Sequence, residues 1–283
     1  MHFGVYLPNF GAETSALALA ELAREAEKAR WDGFFLWDHI LANKNQKLPM
    51  VDPWVALTAI AMQTRRIRFG TTVTPIARRR PWKLARETTT LDNLSGGRLI
   101  LSVGLGEPGD AEFEAFGEEA DPRVRAEKLD EGLDVLNGLW RGRAFSYQGR
   151  HYQLDKVTFR PTPLQKPRIP IWVGGWWPNK APFRRAARWD GVIPLNKHGI
   201  WIKPPDLQEM LAYIHAHRTS KTPFDAVIIG ARHVLGKDGA STRKSLKQLE
   251  QAGATWWLQS VYMERNSLEA MRAIIRQGPP KSS

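Results

Sequence analysis

"GFFLWDHILANK", residues 33–44, opens as an apolar run and then turns abruptly polar. Phe34, Phe35, Leu36 and Trp37 read as a buried strand; Asp38 and His39 follow at once, where a core disfavours them. The preceding stretch, residues 15–30, places Leu19, Leu22, Ala23 and Ala26 on one face at helical spacing, with Glu21, Arg24, Glu25 and Lys28 elsewhere. Asp32-Gly33 breaks that helix, so FFLWD (34–38) is strand two after FGVYL (3–7) as strand one. Strand, helix and a near-continuously apolar strand form the repeat of a parallel α/β fold, whose strands are covered on both faces.

The alternation runs to the end of the chain. Residues 52–64 read as a helix with Asp52 as cap and Pro53 in its first turn. IRFGTTV (67–73) is strand three, residues 80–97 a helix closed by two glycines, and RLILSVGLG (98–106) strand four. A long helix is expected around 125–140. Residues 145–168 are irregular, with Gly149, Pro161, Pro163 and Pro167, and read as a small hairpin or a cover over one barrel end. IPIWVGG (169–175), GVIPL (191–195), DAVIIGA (225–231) and TWWLQSV (255–261) are strands five to eight, each followed by a helical stretch. Eight units predict an α/β fold of the closed (β/α)8 TIM-barrel type, spanning 1–283 as one domain with a frayed tail; a doubly wound open sheet is the rival.

Bulk composition narrows the chemistry. The absence of cysteine excludes a disulfide framework and thiolate catalysis. The 41 basic against 29 acidic residues suit an anionic cofactor, an acidic membrane surface or nucleic acid. No zinc-finger spacing, aromatic RNA-binding motif or basic heptad helix accompanies that charge, so neither a nucleic-acid nor a membrane partner is expected. No leader-like segment is visible in "MHFGVYLPNFG", and the expected location is cytoplasmic. The seven histidines show no metal-ligand spacing, so no metal site is expected.

In such a barrel the site lies where the strands end. Strand one leads to Pro8 and Asn9, strand two to Asp38 and His39, strand three to Thr71, Thr72, Val73 and Thr74. Strand four leads to Gly104, Gly106 and Glu107, and strand five to Gly174, Gly175, Trp176 and Trp177. Strands six to eight lead to Asn196, Lys197 and His198, to Arg232 and His233, and to Tyr262 and Glu264. His39 is the candidate for proton exchange near neutral pH, with Asp38 beside it; the alternative is a cap and a structural hydrogen bond. The glycine pairs allow close backbone approach to a ligand and are not read as a dinucleotide fingerprint. Trp176 and Trp177 offer flat apolar surface to a ring, or pack on residues 145–168. The run Arg78-Arg79-Arg80 reads as a solvated surface or as an attractor for an anionic ligand.

The segments FGVYLPNFG, GFFLWDH, IRFGTTVTP, LDNLSGGRLILSVGLG, PRIPIWVGG and WDGVIP, in this order, resemble the bacterial luciferase-like oxidoreductase superfamily over nearly the whole chain. The resemblance implies a flavin-type ring at the C-terminal mouth, either reduced FMN or an 8-hydroxy-5-deazaflavin coenzyme. It implies a non-proline cis peptide at Thr72-Val73 supporting the ring. Phosphate contacts map near Gly106, Glu107 and Gly174 to Trp177. It implies proton transfer or a hydrogen bond to an intermediate for His39. The first expectation is an FMN-dependent monooxygenase acting on a small organic molecule, supplied by a separate reductase and forming a homodimer. The alternatives are a deazaflavin-dependent dehydrogenase or reductase and a non-catalytic flavin-binding barrel.

Overall fold

The computed structural model describes residues 1–196, 202–230, 239–261 and 267–280, without the side chains of 239–242. In chain order the strands are β1 (His2–Leu7), β2 (Gly33–Leu36), β3 (Arg68–Pro75), β4 (Leu99–Gly104), β5 (Phe145–Gln148), β6 (Gln153–Val157), β7 (Ile171–Trp177), β8 (Gly191–Asn196), β9 (Asp225–Gly230) and β10 (Trp256–Ser260). The helices are α1 (Ala16–Lys28), α2 (Pro53–Gln63), α3 (Pro81–Ser95), α4 (Gly109–Glu112), α5 (Pro122–Trp140), α6 (Lys180–Ala186), α7 (Pro204–His217), α8 (Gly239–Gln251) and α9 (Leu268–Arg276). Eight strands close into a parallel barrel in the order β1-β2-β3-β4-β7-β8-β9-β10, with β10 paired back to β1. The expected TIM barrel is therefore present; β4 pairs with β7 because β5 and β6 form a separate antiparallel hairpin.

Local chemistry sets the element ends. Asp52 Oδ1 accepts the Val55 N–H at 3.0 Å and caps α2, whose first residue is Pro53. Gly96 ends α3 at φ 71°, a left-handed conformation that an L side chain adopts rarely. The buried guanidinium of Arg98 donates to the carbonyls of Ala61, Thr64, Ile67 and Ser95 and to the Thr64 hydroxyl. One side chain thus satisfies the Ala61 and Thr64 carbonyls at the end of α2 and ties α2 and α3 to the start of β4.

Two apolar layers result. The larger lies between the outer faces of the strands and the helices, and the smaller fills the barrel with Phe35, Ile100, Trp172, Val227, Trp256 and Leu258 among others. Phe35, Trp172 and Trp256 meet with ring centroids 5.3–5.8 Å apart. They fit because Gly33 has no side chain: a Cβ there would lie 2.5 Å from the Phe35 ring and 2.9 Å from the Trp256 ring.

Several element boundaries differ from the sequence reading. β2 ends at Leu36, so Trp37 and Asp38 already belong to the loop. β3 continues to Pro75 with a register shift between Thr71 and Thr74, which puts Thr72 and Val73 inside an irregular strand end. β7 extends through Trp177, so Trp176 and Trp177 alternate sides of a strand. The 145–168 excursion begins as a hairpin on α5, where the Phe145 ring occupies the space Gly138 leaves open. It then crosses to the N-terminal ends of β3 and β4: Gln165 Nε2 donates to the Leu99 carbonyl at 2.7 Å, and Arg68 donates to Gln165 Oε1 at 3.0 Å.

Candidate active site

A cavity of about 370 Å³ opens at the C-terminal mouth of the barrel. Its lining includes Asp38, His39, Thr72, Val73, Gly104, Gly106, Gly174, Gly175 and Trp176 from the sequence reading, joined by Tyr6, Trp37, Glu112, Arg185, Leu195 and Ile229. Pro8, Asn9, Thr71, Thr74, Asn196 and Trp177 are not in the lining; of the two adjacent tryptophans only Trp176 reaches it. Strand alternation turns Trp177 outward, where its ring meets Phe183 at 4.9 Å and Lys180 Nζ lies 3.6 Å from its centroid. Neither tryptophan contacts residues 145–168 among the recorded ring contacts of the described residues. Lys197, His198, Arg232, His233, Tyr262 and Glu264 lie outside the described residues.

The floor of the cavity is Val73. The Thr72–Val73 peptide is cis, as expected. The Val73 side chain rests between two glycines: a Cβ on Gly104 would lie 2.6 Å from its Cγ2, and one on Gly174 would lie 2.9 Å from its Cγ1. These glycines therefore admit the Val73 shelf, which is a more direct reason for them than a phosphate turn. Gly104, Gly106 and Gly109 do match the spacing of the dinucleotide motif. The helix that follows, α4, has only four residues and begins after Pro108, so it is not the long helix that motif requires.

Asp38 is a structural anchor. Its buried carboxylate accepts from Arg78 Nη2 (2.9 Å), Arg79 Nη2 (2.8 and 3.0 Å), the Thr74 hydroxyl (2.8 Å) and Trp54 Nε1 (3.2 Å). Both oxygens are committed to side-chain donors, which leaves no free lone pair aimed at a ligand. The arginine run is accordingly not a solvated face at Arg78 and Arg79. Both turn inward, and two buried carboxylates, Asp38 between the guanidinium groups and Glu112 on Arg78, balance their charge.

His39 differs in kind. Its Nδ1 lies 2.9 Å from Oε1 of Glu112, which is 1% exposed. The same oxygen accepts the backbone N–H groups of Ile40 and Leu41, both at 3.1 Å, and Oε2 contacts Arg78 Nη1. Burial, reinforced by the Arg78 charge, holds the imidazole pKa down at about 4, with Asp38 opposing. The ring is neutral at pH 7. Sequence reasoning missed Glu112; its place five residues beyond Glu107 in the loop after β4 was the available signal.

Two further arginines hold segments around the cavity. Arg125 Nη1 donates to the carbonyls of Leu105 (3.2 Å) and Gly106 (2.7 Å), and its Nη2 lies 3.8 Å from Glu107. Arg185, held by Asp130 at 2.6 and 2.8 Å, reaches the lining beside Gly175 and Asn179. A cavity with a low shelf at Val73, mostly apolar walls, an arginine at one side and an imidazole at the other fits a flat, anion-tailed ring. Among the described residues no group of three or more His, Cys, Asp or Glu could hold a metal ion, and no helix is long and apolar enough to cross a membrane.

This shelf and mouth belong to a known class of barrel. Residues 1–271 match the family described as luciferase-like monooxygenase, and the chain belongs to that family. It is 32% identical over 210 residues to a protein of Mycobacterium tuberculosis, covering 73% of this chain and 66% of that one. It is also 32% identical over 179 residues to an F420-dependent glucose-6-phosphate dehydrogenase of Nakamurella multipartita, covering 62% and 51%. The chain thus spans less than two thirds of the length of these relatives. Among solved structures it superposes on a monooxygenase from Streptomyces bottropensis with a TM-score of 0.79 at 22% identity, covering 98% and 97% of the two chains. An F420-dependent secondary alcohol dehydrogenase bound to an F420–acetone adduct gives 0.80 at 17% identity, covering 99% and 98%. At these identities the superpositions speak for the fold.

Proposed function

We propose that this chain is an oxidoreductase that uses a deazaflavin coenzyme to dehydrogenate an alcohol or reduce the matching carbonyl compound. This replaces the FMN monooxygenase as the leading reading. The observation that carries it is the His39 imidazole in the cavity lining, with Nδ1 2.9 Å from the buried Glu112 carboxylate, an arrangement that leaves Nε2 as its proton-accepting atom. Removing hydride from an alcohol carbon releases a hydroxyl proton, and a neutral imidazole accepts it. Relatives named as F420-dependent dehydrogenases from Nakamurella multipartita, Microbacterium testaceum and Mycobacterium tuberculosis support the same choice.

The deazaflavin, when bound, supplies the hydride acceptor. The chain's own residues do the rest. Val73 would support the ring, Gly104 and Gly174 leave room for the Val73 side chain, and Arg185, held by Asp130, would face the coenzyme from the lining. Tyr6, Trp37, Leu195 and Ile229 exclude water around the reacting carbon. His39 Nε2 takes the hydroxyl proton in one direction and returns it in the other. A homodimer, a cytoplasmic location and a second enzyme that recycles the coenzyme belong to the same proposal.

The test is anaerobic titration with oxidised deazaflavin coenzyme and, separately, reduced FMN, followed by addition of a secondary alcohol or air. Deazaflavin binding and bleaching on alcohol addition support the proposal. Selective FMN binding followed by oxygen-dependent product formation returns the monooxygenase. Ligand binding without turnover under any donor leaves the non-catalytic barrel.

A further inference from the structure

The cavity reading leaves one buried ionisable side chain without a task. Glu112 is carried on a helix of only four residues, is almost wholly buried, and yet receives four different donors: His39 Nδ1, the N–H groups of Ile40 and Leu41, and Arg78. Burying an ionised carboxylate is costly unless it is paired and hydrogen-bonded, as this one is. We infer that Glu112 is the positioning residue of the site: accepting the Nδ1–H of His39, it fixes the imidazole in the tautomer whose Nε2 is a proton acceptor.

The geometry supports this in three ways. Which ring nitrogen of a neutral imidazole carries the proton is set by the hydrogen bond made by the other. Here Glu112 Oε1 stands 2.9 Å from Nδ1, and an ionised carboxylate only accepts, so the proton belongs on Nδ1. Arg78 joins the two carboxylates, donating to Asp38 and contacting Glu112, so the Glu112 oxygens face donors on every recorded side. The backbone bonds at Ile40 and Leu41 fix the loop that carries His39 to the same carboxylate. Among the described residues the charged groups recorded around the ring are Glu112 from α4, Arg78 from beyond β3 and Asp38 from its own loop.

The inference rests on the reading of His39 as the proton acceptor, but its test needs no coenzyme, so a failure of either is visible separately. Protein labelled with ¹⁵N-histidine is observed at pH 7, and a His39→Gln variant identifies the His39 signals among the seven histidines. The expected spectrum has Nδ1 protonated and Nε2 at the shift of an unprotonated nitrogen. A signal pair with the proton on Nε2 overturns the inference. In Glu112→Ala the pattern is expected to move toward a mixture of both tautomers, and an unchanged Nδ1–H overturns it equally. Because that variant also frees two backbone N–H groups and could fail to fold, the wild-type spectrum decides by itself.

Discussion

His39 Nδ1 and Glu112 Oε1 lie 2.9 Å apart across 73 residues of sequence, and the pair joins the loop after β2 to the loop after β4. That contact commits one ring nitrogen and leaves the other for the cavity, which gives His39→Ala a definite expected phenotype. Turnover falls by roughly 10²–10⁴-fold, the usual contribution of a positioned acid or base, while coenzyme affinity changes little. Steady-state rates and a binding titration of the same variant check it; wild-type turnover rejects the role.

The same residue makes stability depend on pH. The ordinary imidazole pKa is 6.5, and in the folded chain it is held at about 4. Between those values the unfolded chain takes up a proton that the folded chain refuses. The contribution of neutral His39 is therefore complete above pH 6.5 and is lost as the pH falls toward 4. Urea unfolding of wild type and His39→Gln over that window checks the sign: the stability advantage of the variant should grow on acidification. A gap that stays constant would falsify the neutral buried ring.

Asp38 is expected to matter for folding. Asp38→Ala leaves Arg78 and Arg79 facing each other without their shared carboxylate, and breaking a buried ion pair this way costs about 3–5 kcal/mol. Denaturant unfolding measures it. A loss below about 1 kcal/mol, the range of an exposed pair, means that the anchor is not buried as described.

Adjacent tryptophans should behave oppositely. Trp177 is 5% exposed and packs on Phe183 and Tyr213, so Trp177→Ala is expected to cost about 3–5 kcal/mol of stability. Trp176 is 46% exposed at the cavity, so Trp176→Ala should leave the unfolding midpoint nearly unchanged and weaken ligand binding. Thermal unfolding and coenzyme titration of both variants separate the two; equal destabilisation would contradict the strand alternation.

The Val73 shelf makes a testable pair with Gly104. A methyl group on Gly104 meets Val73 Cγ2 at 2.6 Å, so Gly104→Ala is expected to cost about 1–3 kcal/mol through overpacking and to lower coenzyme affinity. Adding Val73→Ala removes the obstructing methyl groups and should restore part of the lost stability. A double-mutant cycle that is additive within about 0.5 kcal/mol shows that the two side chains do not compete for this space.

The barrel was legible because its signals are local. Apolar runs of strand length, the 3.6-residue face of α1, Asp52 before Pro53 and the glycines after α3 each act within a few residues. The place of His39 at a strand end followed from that alone, and the motif order supplied the family and the cis Thr72–Val73 bond. Element ends were less legible: β3 and β7 run two residues farther than their apolar runs suggest, because pairing with neighbours extends them.

The sequence by itself determined the eightfold alternation, the end of the barrel where the site lies and about half of the cavity-lining positions, since each depends on nearest neighbours in the chain and on strand polarity. Only the tertiary structure decided what those positions do. Asp38 and His39 are adjacent in sequence, yet one is saturated by Arg78, Arg79, Thr74 and Trp54 and the other lines the cavity with its Nδ1 engaged by Glu112. The partners that separate them lie 16 to 73 residues away, and only closure of the barrel brings their loops together.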